Sequence, residues 1–201
     1  ADHRDLHSSP TRRSSDLVKI DVTTRVLHLG LATFGIAAWL LGLTVAGDYD
    51  EARHTGYLVH MVIGLTFTTF LVLRLLYGIF GPVYARFSSW VPWTKARWRP
   101  VLDDIRMLLR LHIPDRASHE GIAGLVQTLG LLAFVWIGCS GTSLSILITP
   151  GVKLTGWQHS LQEAHQVGQI LIPTYLALHV GAVLLHALSG RHVWRKMIFL
   201  E

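Results

Sequence analysis

The chain has 201 residues, half of them hydrophobic and only 15% charged, against about a quarter charged in soluble domains, which excludes an ordinary water-soluble globule. Its formal net charge of +5 does not make it a nucleic-acid binder, because Lys and Arg fall in short stretches between long uncharged runs and form no basic face. The single cysteine, Cys139, excludes an internal disulfide, a cysteine-ligated zinc or iron–sulfur site and a CxxCH haem attachment.

Residues 1–17 are polar and lack the apolar stretch of a signal peptide. Pro10–Leu17 (PTRRSSDL) resembles a translated sequencing adapter, so this segment is expected to be foreign to the fold, joined to a chain shortened at its start, and His3 and His7 carry no functional weight. The fold is expected to occupy residues 18–201.

A hydrocarbon layer about 30 Å thick is crossed by roughly 20 apolar residues in a helix. Four uncharged runs have that length: Val26–Ala46, Thr55–Leu73 with its continuation past Arg74 to Phe80, Ile122–Leu147 and Ala164–Ser189. A chain this short cannot bury four such helices inside a polar shell. The expected fold is therefore an all-α integral membrane four-helix bundle with helices over about 24–46, 55–80, 121–147 and 163–189. Between the second and third spans, Val101, Leu102, Ile105, Leu108 and Leu109 share one helical face while Asp103, Arg106 and Arg110 fall elsewhere. That pattern predicts a short amphipathic helix lying at the interface, preceded by headgroup-seeking Trp90, Trp93 and Trp98.

Lys and Arg accumulate on the cytoplasmic side of a membrane protein. The second connection carries Arg86, Lys95, Arg97, Arg99, Arg106, Arg110 and Arg116 against three aspartates, and the C-terminal flank carries Arg191, Arg195 and Lys196. The first connection holds Asp48, Asp50 and Glu51 against Arg53, and the third only Lys153 and Glu163. Both termini are thus expected in the cytoplasm of a bacterial cell, the protein crossing its inner membrane several times.

Ionisable groups within a bilayer are costly and mark function. The spans contain Arg74 and five histidines: His28, His60, His165, His179 and His186. A lone intramembrane histidine is more often a packing residue bonded to a neighbouring helix, but these are arranged. His165 and His179 are 14 residues apart, about 21 Å of rise and about 40° short of whole turns, so one helix offers two imidazoles on one face at two depths. His60 lies at the outer start of the second helix and His28 at the inner start of the first. The expected pairs are His60 with His165 and His28 with His179, each able to clamp a haem iron from both sides and leave no open position, which suits electron transfer. His186, seven residues after His179, matches the depth of His28 as well, so geometry leaves the inner ligand open between the two. Gly64, Gly168 and Gly181 give room either for a flat macrocycle or for close helix packing. Arg74, 14 residues after His60, lies near the inner level and can pair with a haem propionate or extend to the interface. His54, His112, His119, His159 and His192 lie at loops or helix ends and are expected to be solvated, His159 beside Trp157 being the candidate for an outer docking surface.

These residues resemble the prokaryotic cytochrome b561 group, which includes the b-type cytochrome subunits of nickel–iron hydrogenases. The resemblance runs from Val18 to the C-terminus through Arg25-Val-Leu-His28, His60-x3-Gly64-x9-Arg74, Ala85-Arg-Phe-Ser88, His165-x13-His179 and the basic tail Val193-Trp-Arg-Lys-Met197. Leu29 and Tyr77 stand where tryptophan is frequent in the family. The resemblance implies two non-covalent b haems, ligated by His28, His60, His165 and His179, and so favours His179 over His186. It also implies membrane electron transfer between quinone and a redox partner such as a c-type cytochrome, a hydrogenase or a periplasmic dehydrogenase. A stand-alone quinone reductase that oxidises superoxide is the alternative within the family. Outside it stand a histidine-lined metal-ion transporter, disfavoured because the four uncharged runs lack Asp and Glu, and a colourless structural anchor subunit.

Overall fold

A backbone crossing lipid must satisfy its polar groups internally, so an apolar run of sufficient length becomes a helix. The structure, a computed structural model, describes residues 20–44, 55–114, 116, 120–149, 152, 154, 156–191 and 193–198. Each predicted run forms a helix: α1 (Val22–Thr44), α2 (Thr55–Phe80), α5 (Ile122–Leu147) and the pair α6 (Trp157–Gln166) and α7 (Gly168–Leu188). Between α2 and α5 come a 3₁₀ turn (Val83–Ala85), a single helical turn α3 (Phe87–Trp90) and the amphipathic α4 (Lys95–Leu109), while α8 (Val193–Met197) follows the last span. In the most apolar stretch of each span only 6–17% of residues are buried within the protein. Helices so apolar and so open belong in lipid, and the chain is a multi-pass protein of the inner membrane.

The four spans form a ring, α1 on α2, α2 on α5, α5 on α6 and α7, and α7 back on α1. The contacts between α1 and α2 fix their antiparallel register. His60 meets Ala38 and Gly42, Phe67 meets Gly35, Phe70 fills the space at Gly30, and Tyr77 bonds Asp21. Mid-bundle, Leu31, Phe67 and Leu71 are buried among Phe34, Phe70, Phe134 and Val135, an apolar layer that separates the two ends of the bundle. Its rings sit edge to face or stacked, as their quadrupoles favour, with Phe67 and Phe134 at 5.4 Å and Phe34 and Phe70 at 5.5 Å.

The fourth helix departs from the sequence expectation. The fourth span begins at Trp157, not near residue 163, and so takes in the polar turn Gln158–Glu163. Hydropathy cannot mark that start, because the helix continues beyond the hydrocarbon into the polar interface. Glu163 therefore does lie on this span, exposed and 3.5 Å from His159. The span is also interrupted at Val167, between α6 and α7. Gly168 there packs on Ile137, and Pro173, one turn on, has no N–H for the backbone behind it. Trp136 on α5 fastens the junction by donating its indole N–H to the Ala164 carbonyl at 2.9 Å.

The expected interfacial helix is α4, Lys95–Leu109. Its leucines Leu102, Leu108 and Leu109, with Ile105, are exposed, as suits a helix lying on lipid, whereas Val101 and Asp104 are buried against the protein. The Asp104 carboxylate accepts the Ile122 amide N–H at 3.0 Å and pairs with Arg116. It thereby caps α5, whose N-terminal amides and dipole favour an anion. Gly121, at φ 64°, turns the chain into α5 where any Cβ would strike the Asp104 carboxylate. This bond to Asp104 raises the pKa of the Arg116 guanidinium, against a smaller desolvation cost.

Candidate functional site

His60 and His165 reach into the outer half of the bundle from α2 and α6, and His28 and His179 into the inner half from α1 and α7. The His60 and His165 ring centres are 6.2 Å apart, and so are those of His28 and His179. A metal–imidazole bond of about 2 Å, with the ring centre about 1 Å beyond the nitrogen, puts two imidazoles that share one metal about 6 Å apart. Both pairs have that spacing. Within each, the rings are inclined to one another, by 73° in the outer pair and 48° in the inner.

The outer pair is oriented by its neighbours. His60 Nδ1 lies 2.9 Å from the Ala38 carbonyl, which can only accept, so this nitrogen carries the proton and Nε2 is left with a free lone pair. His165 Nδ1 lies 3.0 Å from Ser140 Oγ. The Ser140 hydroxyl donates to the Trp136 carbonyl at 2.7 Å, so towards His165 it accepts, and Nε2 is again unprotonated. This is the outer-shell arrangement that fixes the tautomer of a metal-binding histidine. Gly42 and Gly141 make room for the two imidazoles, since a Cβ at either position would meet a ring edge at 3.1 Å or 2.9 Å. The sequence reading passed over both glycines, because only the neighbouring helix reveals the contact.

Around the outer pair opens a mainly apolar cavity that encloses about 1140 Å³ of non-protein space, its open side included. His60, His165, Gly64, Trp39 and Thr142 are among its lining residues. A Cβ at Gly64 would meet nothing within 4 Å, so the absent side chain leaves space rather than packing. The Trp39 indole N–H and the Thr142 hydroxyl are buried without a hydrogen-bond partner among the described residues. Buried polar groups are rarely left so, and a cofactor with polar substituents answers them.

At the inner level Gly181 has nothing within 4 Å of a Cβ, while His28 Nδ1 and one terminal nitrogen of Arg74 are buried and unpartnered among the described residues. Tyr175 stacks on His179 at 5.5 Å with planes 15° apart, seated in the space left by Gly130. Arg74 lies between Phe70 and Tyr77 on α2, which face Gly30 on α1 and Asp21 just before it, so it stands opposite the turn that carries Arg25 and His28. It does not extend freely to the interface, since its guanidinium lies 5.4 Å over the Phe87 ring. His186 Nδ1 lies 3.4 Å from the Arg191 guanidinium, whereas it is the His179 ring that faces His28. Gly168, named from sequence with Gly64 and Gly181, is a packing glycine against Ile137. His54, His119 and His192 lie outside the described residues, as do residues 1–19.

Asp21, just before α1, was not singled out from sequence. Its carboxylate accepts the hydroxyls of Tyr77 and Tyr84, each at 2.5 Å, and the Thr24 amide. Burial works against the carboxylate, and these hydrogen bonds outweigh it and hold the pKa at about 2. The same bond raises the pKa of the Tyr84 phenol.

The residues fit a haem at each level: paired imidazoles at iron-sharing distance, glycine-made space, and polar groups waiting for a partner. The family model described as prokaryotic cytochrome b561 matches residues 19–199. No curated protein and no solved structure matches.

Proposed function

The chain belongs to the prokaryotic cytochrome b561 family, and on that premise we propose that it is a di-haem b cytochrome passing electrons between the quinone pool and a redox partner across the inner membrane. Family membership makes it a haem-binding membrane electron-transfer protein and a component of an oxidoreductase system. The finer reading assigns His60 and His165 to one haem, His28 and His179 to the other, and Arg74 to a propionate of the second. The observation that carries it is the 6.2 Å separation repeated in both imidazole pairs.

A haem b held by these histidines would supply reversible one-electron chemistry. The protein's part is to orient and insulate. Ala38 and Ser140 hold the outer imidazoles with Nε2 free, and the apolar layer of Phe34, Phe67, Phe70 and Phe134 keeps water from the interval between the levels. Low dielectric makes any nearby charge count. The metal-transport reading gains no support, since the described residues contain no group of three or more His, Cys, Asp or Glu side chains that could hold an ion.

The test is reduction by quinol. Protein purified in detergent and given a short-chain ubiquinol should develop the absorption bands of reduced b haem, and a soluble oxidant such as ferricyanide should remove them. A protein that binds haem but neither accepts electrons from quinol nor, when reduced, passes them to quinone would overturn the quinone assignment.

A further inference from the structure

We propose that the two levels are electrostatically graded, the inner site of His28 and His179 having the higher reduction potential, so that a single electron shared between the haems rests on the cytoplasmic side. This rests on the di-haem reading above and adds an order to it.

Reduction of an iron centre adds one negative charge, which a nearby cation favours and an anion opposes, most strongly where water is excluded. The inner level carries two cations. Arg74 is inside the bundle with one terminal nitrogen buried and unpartnered among the described residues, opposite the turn of α1 that holds His28. Arg25 is three residues before His28, on the same helical face, and its Nε is buried. Against them stands one carboxylate, Asp21, whose charge is spread over two tyrosine hydroxyls and an amide. The outer level is different. Among the described residues no Lys, Arg, Asp or Glu lines its cavity, and the unpartnered donors there, Trp39 Nε1 and Thr142 Oγ1, are neutral. The nearest described charge along the chain is Glu163, two residues from His165, exposed and beside His159. Neutral donors satisfy a propionate without cancelling its charge, whereas Arg74 does both. The balance of described charge is therefore more positive at the inner level, two arginines against the one carboxylate of Asp21, than at the outer, where the nearest is Glu163.

Redox titration of the purified holoprotein, followed at the reduced haem band, decides the matter. Two waves are expected. His60→Ala, or Gly64→Leu should that variant fail to fold, removes the outer haem and should leave only the upper wave. Arg74→Met should lower the upper wave by at least tenfold in the reduction equilibrium, about 59 mV for a one-electron couple, and leave the lower wave in place. Arg74→Lys should restore most of the loss. The proposal is overturned if the wave surviving loss of the outer haem is the lower of the two, or if Arg74→Met moves neither wave or both alike. A holoprotein with fewer than two haems overturns it together with the di-haem reading, and this is seen in the haem count before any titration.

Discussion

Gly64 and Gly30 are the same residue type on neighbouring helices, yet a side chain would meet open space at Gly64 and the Phe70 ring at Gly30. One is a packing glycine and the other a vacancy beside a histidine pair. Gly64→Leu is accordingly expected to leave the fold intact and to halve the haem content measured per chain, whereas Gly30→Leu should destabilise the bundle by overpacking, by about 1–3 kcal/mol or more. Equal haem content in Gly64→Leu and the wild type would show that the cavity does not hold the group. Asp21 gives a pH signature at the same scale. Its folded pKa of about 2 is below the ordinary 3.8, so its contribution to stability is fully present above about pH 4 and is lost as pH falls from there towards 2. Because the carboxylate is only part-buried and solvent screens it, that contribution is under about 1 kcal/mol. The difference in thermal unfolding temperature between wild type and Asp21→Asn, measured in detergent, should shrink between pH 5 and pH 3. Among residues, the histidines were legible in sequence because imidazole inside an uncharged run is conspicuous. His179 and His186 were not separable, since seven residues turn a helix by only about 20° short of whole turns, and what separates them, His28 on one side and Arg191 on the other, lies on other segments.

At the scale of elements, hydropathy located α1, α2 and α5 to within a few residues, because in lipid the apolar run and the helix nearly coincide. It misplaced the start of the fourth helix, whose first turns are polar, and it gave no sign that Val101 and Asp104 of α4 turn inward. The leucine stripe signalled amphipathicity correctly, but a lipid surface and a protein core attract the same residues. What ties α4 to the bundle is Asp104, an acidic residue that any reading by periodicity assigns to water. Asp104→Ala removes the cap of α5 and leaves Arg116 without its partner. The expected loss is about 1–2 kcal/mol, the cost of removing a capping carboxylate while Arg116 stays exposed to solvent, seen as a lowered unfolding temperature in detergent with both haems still bound at room temperature. An unchanged melting temperature would mean that α4 is held by lipid alone.

For the molecule as a whole, the architecture follows from composition: four uncharged runs in 201 residues admit little besides a membrane bundle. The pairing of imidazoles across the bundle was legible only as an expectation, because it depends on how α1, α2, α6 and α7 close into a ring. That closure yields two sites of equal ring spacing, one above and one below an apolar aromatic layer. Haem quantitation on purified wild type and single alanine variants tests this most directly. The account predicts two b-type haems per chain in the wild type, one in His28→Ala, His60→Ala, His165→Ala and His179→Ala, and two in His186→Ala. A wild type with no haem, or a His186→Ala variant that loses one while His179→Ala keeps both, would contradict it.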